Sequence, residues 1–150
     1  KNGNIIEEHE KEGELVYKGK NVSMGYAMSR VDLVKGGENN GVLVTGDMAK
    51  RDRDGYYYIV GRKKRFIKLF GNRVNLDETE RLLKNVISDC ACSGRDDEMV
   101  IYITDKGKLK KINRYIAEKT SINHQAFVVK YVPEIPTNSS GKIIYSKLPN

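Results

Sequence analysis

The sequence predicts an α+β protein in which a β-rich stretch comes first and a small domain of alternating strands and helices follows. Three observations carry this. Up to about residue 60 the apolar residues come in short runs bounded by glycine and asparagine, with no helical period. Asn75, with Glu78 three residues later, has the form of an N-cap with its capping-box partner, and Leu76, Thr79, Leu83 and Val86 then recur at helical spacing. From Arg65 onward the segments alternate in the order β, α, β, α, β, which is the pattern of a small α+β domain.

The elements follow in order. EGELVYKG and NNGVLVTGD read as strands, and Asp54-Gly55 in RDRDGYYYIVG is a turn signal leading into a third. No core of its own is evident before Glu14, so the stretch reads as the tail of a larger domain. RFIKL reads as a strand and Phe70-Gly71-Asn72 as a turn. The helix opened by Asn75 is followed by a strand at MVIYIT. Lys108 to Lys119 is a second amphipathic helix with Leu109, Ile112 and Ile116 on one face. AFVVKYV is a further strand, and PEIPTNSSGK is a loop punctuated by two prolines.

Composition narrows the class. With 39% hydrophobic and 31% charged residues the chain is that of a soluble globular protein. No apolar run approaches the roughly 18 residues a membrane span needs, and KNGNIIEEHE lacks the apolar core of a secretion signal. These features imply a cytoplasmic protein. Cys90 and Cys92 lie two apart, too close for an unstrained disulfide, and are expected to be reduced thiols. His9 and His124 stand apart from any carboxylate or cysteine cluster, so no metal site is expected from side chains. A net charge of +7 implies an anionic partner. Nucleic acid is one candidate, but the chain has no Trp, no helix-turn-helix and no zinc pattern. A phosphate-bearing small molecule fits equally well.

Three glycine-marked stretches are candidates for chemistry. Thr45-Gly46-Asp47 ends a strand with a carboxylate that can accept two hydrogen bonds from a vicinal diol such as a ribose. Gly61-Arg62 follows another strand and begins GRKKRFIKLFGNR, which holds six arginines and lysines in thirteen residues. Ser139-Ser140-Gly141-Lys142 has the ending of a phosphate loop, but a P-loop requires glycine at position 136, where this chain has proline. A lysine on a glycine-hinged polar loop can still reach an anion from outside.

In that order, TGDMAKRDRDGYYYIVGRKKRFIKLFGNRVNLDETE and then PTNSSGKI resemble the C-terminal portion of the adenylate-forming enzymes, which include acyl-CoA synthetases, carrier-protein-loading adenylation domains and luciferases. The resemblance covers most of the chain, because GELVYKGKNVSMGY is similar to the family's last large-domain segment. It implies that residues 1–63 are the terminal β-rich segment of the large domain. Residues 64–150 are then the mobile C-terminal α+β domain, with a short mixed sheet and packed helices.

The resemblance also implies roles. Asp47 matches the aspartate that holds the ribose hydroxyls, and Arg62 the arginine that contacts the nucleotide. Lys64 matches the hinge, and Arg73 lies on a loop that approaches phosphate or the incoming thiol. Lys142 matches the catalytic lysine, which stabilises charge on the α-phosphate while a carboxylate attacks ATP. The small domain then turns, withdrawing the lysine and presenting the Gly71 loop to a thiol. ATP with Mg2+ and coenzyme A or a phosphopantetheinyl carrier protein are the implied cofactors and acceptor, a carboxylic acid the substrate, and the N-terminal large domain the missing partner. Lys63, Arg65 and Lys68 read as a solvated face beside a polyanion.

The chain departs from the family's pattern in two places. VISDCACSGRDDE is shorter than the valine-rich stretch common there, which implies a trimmed small domain. The phosphate loop and acyl pocket of the large domain are absent, so the chain reads as a fragment without useful turnover alone. IKLFGNRVNLDE is slightly closer to the carrier-loading pattern. Two other classes remain: a non-catalytic nucleotide- or carrier-binding module, and a basic nucleic-acid-binding protein, whose affinity would depend on salt.

Overall fold

The structure is a computed structural model that describes residues 4–149. The chain divides into two compact units, Lys1–Lys63 and Lys64–Asn150.

The first unit is a three-stranded antiparallel sheet in the order β1 (Gly13–Lys18), β2 (Val42–Arg51), β3 (Tyr57–Arg62). The Asp54-Gly55 signal is the turn of the β2–β3 hairpin. Asp52 Oδ1 accepts from the N–H groups of Asp54 at 3.0 Å and Tyr56 at 2.9 Å, so one side chain satisfies the turn's backbone. A bulge between Met48 and Ala49 shifts the β2–β3 register. Among the described residues of this unit only Ala49 is buried. Val16, Val44 and Ile59 stay 51%, 60% and 57% exposed, so the sheet builds no apolar core of its own.

The second unit holds a core. A hairpin of β4 (Phe66–Leu69) and β5 (Asn72–Asn75) leads into α1 (Leu76–Leu83). A mixed sheet follows, in the order β6 (Cys90–Arg95), β7 (Glu98–Ile103), β8 (Phe127–Tyr131). The β6–β7 pair is antiparallel and the β7–β8 pair parallel, the latter joined through α2 (Leu109–Thr120). This is the small α+β arrangement with a mixed sheet and packed helices that the sequence predicts.

The continuous apolar run MVIYI has a physical cause, because β7 is covered on both faces. Met99, Ile101 and Ile103 join Leu69, Leu83, Ile112, Ile116 and Phe127 in one cluster. Val100 and Tyr102, on the alternate face, join Ala91, Val132 and Leu148 in another.

Three features differ from the sequence reading or go beyond it. The strand predicted before the helix is one arm of a hairpin, and CACSGR, given no element from the sequence, is a strand pairing with β7. Helix α1 also stops at Leu83, short of Val86. Val86 packs against the core from the following turn, where its N–H bonds the Leu83 carbonyl at 2.9 Å. Asn75 caps α1 as expected, its side chain accepting from Asp77 N at 2.9 Å and Glu78 N at 3.4 Å.

Candidate functional site

Asp47 and Arg62 are opposite one another in the β2–β3 register. Gly46, at φ 73°, sets the backbone at a value that other residues rarely adopt, and Thr45 Oγ1 receives the Asp47 N–H at 3.0 Å while donating to the Leu15 carbonyl at 2.8 Å. The carboxylate is thus held on a fixed corner. Its Oδ1 pairs with Arg62 Nε at 2.9 Å. The Asp47 side chain is 25% exposed and lies beside an exposed guanidinium. That combination can accept from a diol and attract a phosphate.

After β3 the chain passes through a short 3-10 turn, Lys63–Arg65. Lys63 pairs with Glu14, within the first unit. Lys64, at the boundary between the units, is exposed, and its ammonium has no hydrogen bond or ion pair among the described residues.

Arg65 is not part of a solvated face. Its side chain is only 13% exposed and every nitrogen is used. Nε donates to Asp77 Oδ1 at 2.6 Å and Nη1 to the Cys92 carbonyl at 2.8 Å. Nη2 donates to Glu80 Oε1 at 2.7 Å and to the Tyr145 hydroxyl at 3.1 Å. The guanidinium also lies 4.0 Å from the Tyr145 ring centroid. Burial works against its charge, but the Asp77 hydrogen bond and the Glu80 carboxylate outweigh that and raise its pKa. The sequence places these partners 12 to 80 residues apart, so no local pattern marks them.

The Gly71 loop is a two-residue hairpin turn between the paired Leu69 and Asn72, with Phe70 at φ 47° and Gly71 at φ 84°. Arg73, on β5, stacks over the Phe66 ring with 3.9 Å from its guanidinium carbon to the centroid. The β4 backbone is braced by the tip of the β6–β7 hairpin. Asp96 Oδ1 accepts from Lys68 N and Asp97 Oδ1 from Phe70 N, each at 2.8 Å. These two aspartates lie in the stretch that the sequence shows as shortened, and their adjacency at a hairpin tip was the available signal.

Lys142 sits on a closed loop. Thr137 and Ile143 bridge its ends, and Gly141 turns at φ 75°. Asn138 Oδ1 accepts from Ser140 N at 3.1 Å, Ser140 Oγ at 2.8 Å and Lys142 N at 2.9 Å. The Lys142 side chain is exposed, and its ammonium has no partner among the described residues. A loop of fixed shape therefore carries a free cation. Asn138 is a residue that sequence reasoning passed over, although Asn-Ser-Ser-Gly is a strong turn pattern.

No protein-family model matches the chain. It is 30% identical over 148 residues to a probable 4-coumarate–CoA ligase 1 of Dictyostelium discoideum, an alignment covering 91% of this chain and 27% of that protein. It is 31% identical over 143 residues to a luciferin 4-monooxygenase of Photuris pensylvanica, covering 87% and 26%. Among solved structures it matches O-succinylbenzoate coenzyme A synthetase from Bacillus subtilis, in complex with ATP and magnesium ion, with a TM-score of 0.66 at 21% identity, covering 99% of this chain and 32% of that one. It matches McyG A-PCP complexed with phenylalanyl-adenylate with a TM-score of 0.70 at 21% identity, covering 97% and 29%. These two likenesses establish the fold. By sequence the chain matches the C-terminal portion of the adenylate-forming enzyme superfamily. It spans about a quarter of the length of the curated relatives it matches.

Proposed function

We propose that the complete protein is an ATP-dependent acid–thiol ligase, which activates a carboxylic acid as acyl-AMP and transfers the acyl group to the thiol of coenzyme A or a phosphopantetheinyl carrier protein. The observation that carries this reading is the Lys142 ammonium, unpaired among the described residues on a loop whose shape Asn138 holds. A fixed cation of this kind stabilises charge that develops on a phosphate in the transition state.

The other site residues take roles that their geometry permits. The Asp47 carboxylate accepts from the ribose hydroxyls, with Arg62 holding it and facing the nucleotide. Magnesium entering with ATP would neutralise charge on its phosphates. Lys64 is the pivot at the unit boundary. Arg73 and the Gly71 turn serve the phosphate or thiol side. Residues 1–63 form the terminal segment of a large domain, and the near absence of burial among that unit's described residues supports this, since such a sheet needs apolar cover from further chain. Residues 64–150 are the mobile small domain. Among the described residues no helix is long and apolar enough to cross a membrane. The unlinked thiols of Cys90 and Cys92 favour a reducing, cytoplasmic location.

The test is ATP–pyrophosphate exchange by the complete protein across a panel of aromatic, fatty and amino acids. Acid-dependent exchange is expected with at least one class, followed by thioester formation when coenzyme A or a loaded carrier is added. Tight nucleotide binding without exchange for any acid would replace the enzyme with a binding module.

A further inference from the structure

The internal bonds of the Lys142 loop fix its shape but not its place. Its place is set by what ties the following residues to the core. Leu148 is one anchor, buried in the second apolar cluster. The other is Tyr145, three residues beyond the lysine, whose O–H donates to Glu80 at 3.0 Å from Oε2 and 3.2 Å from Oε1.

We propose that Tyr145 is a positioning residue, which ties the Lys142 loop through Glu80 to Arg65 and so sets the lysine in register with the chain emerging from the pivot. This rests on the adenylation role proposed for Lys142. Arg65 directly follows Lys64, and its Nη2 reaches both Glu80 Oε1 and the Tyr145 hydroxyl. The link therefore spans 80 residues of sequence and joins the pivot side of the unit to its catalytic loop. Glu80 is a rigid intermediary because Oε1 also accepts the Cys92 N–H at 2.7 Å, which stops the carboxylate from turning. Among the described residues no buried side-chain nitrogen or oxygen lacks a partner. Burial and the Glu80 charge push the Tyr145 phenol well above its ordinary range, and the donor persists across physiological pH.

Tyr145→Phe isolates this link. The ring stays over Arg65, and Glu80 keeps its bonds from Arg65 and Cys92, so what is lost is the hydroxyl, with its bond to Glu80 and the one it accepts from Arg65 Nη2. In the complete protein the variant is expected to form acyl-AMP roughly 10- to 100-fold more slowly, as displacement of a catalytic group does. Thioester formation from the supplied acyl-adenylate should stay within about twofold, as expected when only an adenylation-specific interaction is lost. Hydrogen exchange over residues 137–144 should speed up, with α1 and β6 unchanged. Unchanged loop exchange together with normal adenylation would overturn the proposal. Equal losses in both half-reactions would also overturn it, since they would mark a general structural role. If the wild type forms no acyl-adenylate with any acid, the proposed function fails, and loop exchange alone then upholds or overturns the link.

Discussion

Asn138 and Lys142 hold each other across their turn: the Asn138 side chain accepts the Lys142 N–H at 2.9 Å, and the Asn138 N–H donates to the Lys142 carbonyl at 2.9 Å. The lysine's backbone is thus settled before any substrate arrives, and the two residues can be separated experimentally. Lys142→Ala is expected to lower acyl-AMP formation by about 10²–10³-fold, the usual loss for a transition-state charge partner. Asn138→Ala keeps the cation but frees the loop, so a smaller fall in the same step is expected. Stopped-flow or pyrophosphate-exchange rates check both, and thioester formation from supplied acyl-adenylate should be spared in each.

Asp47→Ala removes the partly exposed carboxylate beside Arg62. Loss of a hydrogen bond to a charged group costs about 1.5–3 kcal/mol, so ATP affinity should fall by roughly 10- to 150-fold. Calorimetric titration of ATP into the complete protein measures this. Unchanged affinity would remove Asp47 from the nucleotide site.

Lys64 separates a turning backbone from a working charge. Proline fixes φ near −65° and restricts the residue before it, so Lys64→Pro should trap one arrangement and impair thioester formation more than adenylation. Lys64→Ala should leave both half-reactions near wild type. Equal damage from the two substitutions would make the ammonium the functional element.

A Cβ at Gly71 would meet nothing within 4 Å, so any cost of Gly71→Ala comes from its φ of 84° alone. About 1–2 kcal/mol of destabilisation is expected from that strain. Asp97→Ala leaves the Phe70 N–H without its acceptor and should loosen the same turn. Urea denaturation gives the first number, and hydrogen exchange at Phe70 the second.

The two thiols predict a pH dependence. Burial first, and the Glu80 carboxylate second, push Cys90 from its ordinary 9.0 to about 11, and the same two causes push Cys92 well above its ordinary value. A group whose folded pKa is raised stabilises the fold fully below its unfolded value. Stability should therefore be flat with respect to these thiols below about pH 9 and fall as pH climbs toward 11, because the unfolded chain releases its protons first. Iodoacetamide at pH 8 should label both cysteines in urea and neither in the native protein.

Residues whose partners lie nearby in the chain were legible without coordinates. Asn75 caps α1 through N–H groups two and three residues on, and Asp54-Gly55 closes a hairpin within its own turn. The apolar stripe of α2 needed only helical period to place Ile112 and Ile116 inside. Asp47, Arg62 and Lys142 stood out because their motifs are short and ordered.

Arg65 shows where such reading stops. Among six clustered bases it had the local signature of a solvated charge, yet Asp77, Glu80, Cys92 and Tyr145 enclose it. Burial of a charge is decided by whether distant groups converge to satisfy it, and that convergence belongs to the packing of β4, α1, β6 and the C-terminal segment. The same holds for β6. Cys-Ala-Cys carries no strong strand pattern, because one thiol pair and one alanine face opposite apolar clusters, and only pairing with β7 makes it a strand.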